Sequence, residues 1–320
     1  MEKTPDGYII LSDLVPNWIK GLKDGKVIPM DGCGRSYQGY WLKDVKGENY
    51  FLKTFNRKGI PFRFYSELVL EQLAQIIGIP TVESRIVEIN KMNIYGLISK
   101  DYRKVGCNVI SGKNLVLDFI DYLEETEQLK DYFGVSSFED LYNYGVNINT
   151  MDIIWKSIEY RYRNHSNKNI LIRTIFEQLI HRYIFLFLTM QSDFHLGNWE
   201  ILEFKDGSIA FLTPMYDMDM SFRDDFFDLE KNTTIRTTAN PIKNIYEDFE
   251  NFYYSSSEEI KNSIHRQYSL LEPEVLQKTL NDINENLSLN FPNNIKNKIM
   301  ENYVKHYKMI GNILKNTRTR

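Results

Sequence analysis

Asp-Phe-His-Leu-Gly-Asn at residues 193–198 and Pro-Met-Tyr-Asp at residues 214–217 frame the stretch of sequence that decides the fold. Two short β-type runs lie between them, separated by Lys-Asp-Gly-Ser at 205–208, and this pattern predicts a hairpin over 199–215. An acid, an amide and a second acid are therefore grouped around one hairpin. Such a group of oxygen donors is typical of sites that position a hydroxyl group and a divalent cation against phosphates.

Three side chains of this stretch suit the transfer of a phosphoryl group. Asp193 follows a long apolar helix predicted over 170–190, and its carboxylate can accept the proton of an attacking hydroxyl there. Asn198 offers a neutral oxygen and Asp217 a charged one, and magnesium prefers one or two carboxylates plus phosphate and water oxygens. The simpler alternative is that these side chains only cap turns and a strand end.

Two neighbouring side chains have two interpretations each. His195 either fixes the shape of its loop by a hydrogen bond or takes part in catalysis, as a proton relay or a contact to the γ-phosphate. Asp219 either binds a second metal ion or is solvated. The following segment, 221–240, is expected to be an activation-type segment. Its threonines are either phosphorylation sites or ordinary loop residues: Thr233, Thr234, Thr237 and Thr238.

A lysine lies inside an apolar run far upstream. Lys53 occurs in Tyr-Phe-Leu-Lys-Thr-Phe at 50–55, which predicts a central strand, and a lysine there needs an anionic partner. Glu67, on a helix predicted over 64–77, is the expected partner, and Glu71 one turn later is the rival. The alternative is a lysine at a sheet edge with its ammonium group in water.

A glycine-rich segment precedes this strand. Gly-Cys-Gly-Arg-Ser-Tyr-Gln-Gly at 32–39 contains Gly32 and Gly34, whose missing side chains let backbone N–H groups approach a phosphate closely. By itself the segment is an ordinary turn. Upstream of Lys53 it predicts a phosphate-covering loop, with Ser36 near its tip as a candidate phosphorylation site.

Composition indicates a globular protein. The 320 residues are 42% hydrophobic and 26% charged, and Lys+Arg 39 against Asp+Glu 43 gives a net charge of −4, which argues weakly against direct nucleic-acid binding. Cys33 and Cys107 have neither metal-ligand spacing nor the numbers for a disulfide framework, so a reduced, cytoplasmic location is expected. Charged residues interrupt the apolar run 170–190, which predicts a core helix rather than a membrane span.

Residues 1–101 and 102–320 have different secondary-structure patterns. The first part contains β-type runs at 37–43, 50–55, 82–89 and 94–99 around the single helix, whereas the chain is mostly helical from about residue 114 onward. We therefore expect an α+β, protein-kinase-like fold with two lobes: a small β-rich N-lobe, 1–101, and a larger helical C-lobe, 102–320. Propensity alone does not select this fold; the motifs do.

Residues 192–199 and 212–217 together resemble the catalytic and metal-binding segments of HipA-like serine/threonine kinases, in the short form that lacks an additional N-terminal subdomain. The resemblance extends as an ordered series of motifs over about 30–225. It implies ATP and Mg²⁺ as cofactors, a catalytic Asp193, and Asn198 with Asp217 as magnesium ligands. It also implies an ATP-binding Lys53 paired with Glu67, a hinge that grips adenine through the backbone of Ile98, Ser99 and Lys100, and a glycine loop whose Ser36 is autophosphorylated.

The expected function is that of an ATP- and magnesium-dependent serine/threonine protein kinase. Members of the family are often toxins paired with a small DNA-binding antitoxin, and others are delivered into host cells. Two alternatives remain open: a small-molecule phosphotransferase resembling aminoglycoside or lipid kinases, and a non-catalytic nucleotide-binding docking module. The joint presence of Lys53, Asp193, Asn198 and Asp217 counts against the docking module.

Overall fold

The structure is a computed structural model, and it describes most of the chain. The glycine-rich residues Gly32, Gly34 and Ser36 lie outside the described residues, as does Cys33. So does most of the segment 221–240. The described residues are 9–10, 38–43, 49–58, 61–89, 94–103, 106–144, 146–205, 210–223, 226, 235–237, 244–286 and 291–315.

The chain divides into two compact units. The first consists of Met1–Tyr102, Pro214–Arg223 and Leu270–Lys305, and the second of Arg103–Thr213, Asp224–Ser269 and His306–Arg320. Its elements are β1 (Ile9–Ile10), β2 (Gln38–Lys43), β3 (Asn49–Lys58), α1 (Phe62–Ile76), β4 (Ser84–Ile89), β5 (Ile94–Lys100), β6 (Cys107–Ser111), α2 (Gly112–Glu125), α3 (Leu129–Phe133), α4 (Phe138–Asn143), α5 (Met151–Tyr162), α6 (Lys168–Leu188), β7 (Glu200–Phe204), β8 (Ala210–Leu212), α7 (Ile245–Ser255), α8 (Glu258–Leu270), α9 (Pro273–Asn286) and α10 (Asn293–Lys315).

The first unit contains a five-stranded sheet in the order β1-β4-β5-β3-β2. The short β1 runs parallel to β4, and the other neighbouring pairs are antiparallel. Apolar and β-branched residues such as those around Lys53 favour this pleated arrangement. Lys53 lies opposite Gly39 on one side and Leu97 on the other, so β3 is an interior strand, as predicted.

Helix α1 of the first unit buries one apolar face and ends just before a glycine in the left-handed conformation. Leu68, Val69 and Leu73 are buried at helical spacing. Gly78 adopts a left-handed conformation (φ 78°) just beyond the helix, which a glycine tolerates without steric cost. Helix α9 packs against α1, and the Tyr65 ring lies 4.3 Å from that of Phe291, so late residues of the chain help to hold α1.

The second unit is built around α6, whose last turns are almost completely buried. This confirms the predicted core helix. Among the described helices, none is both long and apolar enough to cross a membrane. The predicted hairpin is present as β7 and β8, and β6 pairs with β7 to complete a three-stranded sheet. Cys107, in β6, is a free thiol.

Candidate functional site

Lys53 connects two carboxylates in the first unit. Its Nζ lies 2.8 Å from Glu67 Oε2 and 2.8 Å from Asp217 Oδ1, and the residue is only 6% exposed. The alternative of an edge lysine in water is therefore wrong. Glu67, rather than Glu71, is the helix residue that binds this ammonium group. Because β3 and α1 each hold one side chain of the pair, their packing fixes its geometry.

Asp217 is held in an unusual backbone conformation. Its φ is 57°, a left-handed value that is uncommon for residues other than glycine. Met215, two residues before Asp217, pairs with residues 80–82 of the same unit. Val82 N donates to Met215 O, and Met215 N donates to Pro80 O. Sparsely populated conformations of this kind persist where the surroundings enforce them, and they cluster at functional sites.

Asp219 is buried beside Asp217, so the interpretation of Asp219 as a solvated residue is wrong. It is 3% exposed, and its Oδ2 has no hydrogen-bond partner among the described residues. Arg63 Nη1 lies 3.8 Å from this oxygen, too far for a hydrogen bond. One carboxylate oxygen each from Glu67, Asp217 and Asp219 lie within 4.8 Å of one another.

This cluster carries an excess of negative charge. Burial raises the pKa of Glu67, and the charge of Asp217 adds to that increase while Lys53 opposes it. Burial also raises the pKa of Asp219 to about 7, with the charge of Asp217 as the second cause. Carboxylates that repel one another in a buried site are stabilised by a further cation, and hard oxygen donors are the ligands that magnesium prefers. The residues present therefore fit a divalent metal ion.

Glu71, one turn beyond Glu67, is a second buried carboxyl group. It accepts a hydrogen bond from Ser84 N at 2.9 Å, whereas its Oε1 finds no hydrogen-bond partner in the described part of the chain. Burial, followed by the charge of Glu67, raises the pKa of Glu71 to about 8. The side chain is thus largely protonated at neutral pH, although an ordinary glutamate is ionised there.

Replacing Glu71 with Gln is expected to change how stability depends on pH. Between the ordinary pKa of 4.5 and about 8, the folded protein holds a proton at Glu71 that the unfolded chain has lost, so this group makes unfolding easier as pH rises. Glutamine keeps the acceptor for Ser84 N and never ionises. In thermal melts the variant should match the wild type near pH 5 and be more stable near pH 8.5, by roughly 1–4 kcal/mol because each pKa unit corresponds to about 1.4 kcal/mol.

The exposed Glu83, close to Glu71 in sequence, provides the control. Glu83→Gln makes the same chemical change at the surface and is the matched control. If the difference in stability between Glu71→Gln and the wild type were the same at every pH from 5 to 8.5, Glu71 would be ionised in the folded protein.

In the second unit, the end of α6 directs the chain toward Asp193. Gln191 N donates to Leu186 O at 2.8 Å and Met190 N donates to Phe187 O at 3.1 Å, while Met190 is left-handed with φ 61°. These two bonds form a Schellman motif, which satisfies the last carbonyl groups of the helix and turns the chain sharply. The position of Asp193 is therefore tied to a buried helix end.

The loop at 193–198 is closed by its own hydrogen bonds. His195 Nδ1 accepts from Gly197 N at 2.9 Å, and His195 Nε2 lies 3.7 Å from Asp193 Oδ1. The Asn198 amide donates to the backbone oxygen of Asp193, and Asn198 N donates to His195 O at 2.9 Å. Because Nδ1 acts as an acceptor, a neutral His195 carries its proton on Nε2, facing Asp193. A catalytic role for His195 stays a prediction.

Helix α2 holds the far end of this loop. Lys113 N donates to Leu196 O at 2.8 Å and Gly112 N donates to Trp199 O at 3.0 Å, so the first N–H groups of the helix are satisfied by the loop. Trp199 is fully buried and lies against the Cα of Gly112, where a larger residue would collide with the indole ring. Sequence reasoning missed Gly112, because nothing nearby in the sequence signals a partner that lies far along the chain.

Residues 235–237 also hold the 193–198 loop in place through hydrogen bonds. Ile235 N donates to Phe194 O at 2.7 Å, between Asp193 and His195. Thr237 Oγ1 donates to Asp248 Oδ1 at 2.6 Å. Tyr183 OH donates to the other oxygen of Asp248 at 3.3 Å, and burial raises the pKa of Asp248. Thr237 is thus engaged in a structural contact. Thr233, Thr234 and Thr238 lie outside the described residues.

The predicted hinge residues lie at the end of β5. Ile98 and Ser99 are opposite residues of both β3 and β4, and Lys100 is opposite Tyr50. Asp101 and Tyr102 follow the strand, and the Tyr102 ring stacks on Tyr216 with centroids 5.8 Å apart. Backbone recognition of adenine at this strand end stays a prediction.

The structure places the predicted site residues in two groups. Lys53, Glu67 and Asp217 meet in the first unit. Asp193, His195 and Asn198 share one loop of the second unit. The hairpin strands belong to the second unit, whereas the following stretch Pro214–Arg223, which contains Asp217, belongs to the first.

Comparisons with known proteins find solved structures of similar fold. No family model and no curated protein match the sequence. Among solved structures, the chain resembles CtkA, a proinflammatory kinase of Helicobacter pylori, with a TM-score of 0.60 and 13% sequence identity over 89% of this chain and 93% of that chain. It also resembles HipA of Shewanella oneidensis MR-1, solved with HipB and operator DNA of a toxin–antitoxin system, with a TM-score of 0.53 and 12% identity over 94% and 72% of the two chains.

The chain has a HipA-like kinase fold. At these identities the likeness concerns architecture, and it confirms the predicted α+β class with a sheet-containing part and a mainly helical part. Fold by itself does not define function, which depends on the chemistry of particular residues. The two groups described above are the candidates for such residues in this chain.

Proposed function

We propose that this protein is an ATP- and magnesium-dependent protein kinase that transfers the γ-phosphate to a serine or threonine hydroxyl. The observation that carries the proposal is the buried Lys53 ammonium group, bound by Glu67 from α1 and by Asp217 at 2.8 Å each. A buried cation with one permanent carboxylate partner and a second, more exposed one is suited to bind phosphate oxygens.

In this proposal residues 1–101 form the nucleotide-binding lobe and 102–320 the lobe with the catalytic loop. Lys53 binds the phosphates of ATP, and Glu67 holds its side chain in place. The backbone of Ile98, Ser99 and Lys100 contacts the adenine. Gly32, Gly34 and Ser36 belong to the loop that covers the phosphates.

Asn198 and Asp217 are the residues that would hold a magnesium ion, which would supply neutralisation of charge on the phosphate oxygens. Asp193 positions the acceptor hydroxyl. The hydroxyl oxygen bonds to the γ-phosphorus, the bond from that phosphorus to the β–γ bridging oxygen breaks, and ADP leaves. The Asp193 carboxylate accepts the hydroxyl proton, and His195 keeps the loop in shape through its bond from Gly197 N.

The substrate in this proposal is a protein, and Ser36 is an autophosphorylation site. A small DNA-binding antitoxin is a proposed partner, in analogy with the HipA–HipB complex of the toxin–antitoxin system. The proposed location is the cytoplasm, with delivery into a host cell as the alternative.

The test is transfer of radiolabelled phosphate from ATP to protein, with Asp193→Asn as the control. Labelling of protein hydroxyls by the wild type, absent in the variant, supports the proposal, and mass spectrometry of the 32–39 peptide shows whether Ser36 is an acceptor. Equal labelling by both proteins would remove the proposal. Consumption of ATP with a small alcohol, without any labelled protein, would favour a small-molecule phosphotransferase instead.

A further inference from the structure

Three carboxylates lie close together in the first unit: Glu67, Asp217 and Asp219. Of these, Asp219 is the one to which the proposed function gives no role. We infer that Glu67, Asp217 and Asp219 form a divalent-cation site in which Asp219 is a direct ligand, in addition to the pair Asn198 and Asp217. The inference rests on the proposed function, since it takes this cluster as part of the metal-binding end of the nucleotide site. It concerns cation binding alone, which can be measured without nucleotide.

The distances suit such a site. In an octahedral magnesium site with bonds of about 2.1 Å, ligand oxygens lie about 3.0–4.2 Å apart. The three carboxylate oxygens here lie within 4.8 Å of one another, so only a small closure is needed. The side chain of Asp217 is 23% exposed whereas those of Glu67 and Asp219 are buried, which leaves room on one side for water or phosphate oxygens.

The hydrogen bonding of Asp219 supplies a second, independent observation. A buried carboxylate oxygen without a donor is costly, because nothing replaces the water lost on folding. Asp219 Oδ2 is in this condition: it has no hydrogen-bond partner in the described structure, and Arg63 Nη1 at 3.8 Å contributes charge but no hydrogen bond. A metal ion bound by the Asp219 carboxylate would offset this cost.

The competing interpretation is a purely structural one, in which Asp219 only anchors Arg63 and thereby α1. Asp219→Asn separates the two, because it preserves size and one oxygen while removing the charge. Arg63→Gln removes the anchor and leaves all three carboxylates in place. Asp282→Asn, on the exposed side of α9, makes the same charge change away from the cluster and is the matched control.

The experiment measures binding of Mn²⁺ to the full chain without nucleotide, by electron paramagnetic resonance of the free ion. We expect saturable binding by the wild type, by Asp282→Asn and by Arg63→Gln, and at least tenfold weaker binding by Asp219→Asn. Equal affinity of Asp219→Asn and wild type would overturn the inference, as would a wild type that binds no Mn²⁺ at millimolar concentration. A loss of binding in Arg63→Gln equal to that in Asp219→Asn would assign Asp219 the structural role.

A measurement on the wild type guards against a variant that does not fold. Crystals soaked in Mn²⁺ should give an anomalous difference peak coordinated by Glu67, Asp217 and Asp219, and a manganese ion coordinated without Asp219 contradicts the inference. Phosphate transfer is assayed in parallel. Manganese at Asp219 without any transfer leaves the inference standing and removes the kinase proposal, whereas transfer without metal at Asp219 does the reverse.

Discussion

Replacing Lys53 with Met is expected to lower phosphate transfer from ATP about 10²–10³-fold, the usual cost of losing one preorganised electrostatic contact to the reacting group. Methionine has a similar length and fills the space, so the change removes mainly charge. The same substitution leaves Glu67 buried without its cation. Breaking a buried pair on one side costs about 3–5 kcal/mol, so the free energy of unfolding should fall as well.

A double-mutant cycle separates these two effects. Adding Glu67→Gln to Lys53→Met removes the stranded negative charge, so the double variant should be more stable in urea unfolding than Lys53→Met alone. Phosphate transfer by the double variant should remain low, because it still lacks the Lys53 ammonium group that would contact the phosphates. If Lys53→Met transferred phosphate at the wild-type rate while folding normally, Lys53 would not be the phosphate-binding lysine.

Replacing Gly112 with Ala is the second change with a large expected effect. A Cβ at this position would overlap the indole carbons of Trp199 and lie 2.8 Å from the backbone oxygen of Leu196. Trp199 is fully buried and cannot move aside, so one added methyl group forces the loop away from α2. Overpacking of this kind costs about 1–3 kcal/mol or more. Because the loop contains Asn198, a proposed magnesium ligand, the proposed phosphate transfer should fall too.

A smaller side chain at position 199 should restore the stability that the methyl group of Gly112→Ala removes. Trp199 Nε1 has no hydrogen-bond partner among the described residues, so Trp199→Phe loses no hydrogen bond when it makes room. We expect Gly112→Ala with Trp199→Phe to be more stable than the sum of the two single changes predicts, in chemical unfolding monitored by circular dichroism. Strict additivity would show that the contact with the indole ring is not the cause.

Local sequence patterns predicted the elements of this fold well. The apolar alternation around Lys53 indicates a strand, and the spacing of Leu68 and Leu73 indicates the helix that carries Glu67; both are present. Ser137 caps the short helix α4 by accepting from Asp140 N at 3.2 Å, a contact between residues three positions apart. These features depend on neighbours a few residues away, so one sequence is enough to recognise them.

The contacts that hold the candidate site are mostly long-range and were not predictable. The strand β6 was not predicted, and its partner β7 lies about ninety residues later in the chain. The bond from Ile235 to Phe194 and the anchor of Thr237 on Asp248 likewise join distant parts of the chain. The burial of Asp219 depends on packing around it, so the sequence left a metal ligand and a solvated residue as equal alternatives.

The composition of the first unit from three separated stretches has a consequence for biosynthesis. Lys53 and Glu67 leave the ribosome well before Asp217, and Phe291 follows later still, within the stretch Leu270–Lys305. Until Phe291 is made, the nascent chain carries a bare face of α1, where Tyr65 has no Phe291 to pack on. Translation that stops after residue 223 would release such a chain with Lys53, Glu67, Asp217 and Asp219 all present, yet open to proteases and aggregation.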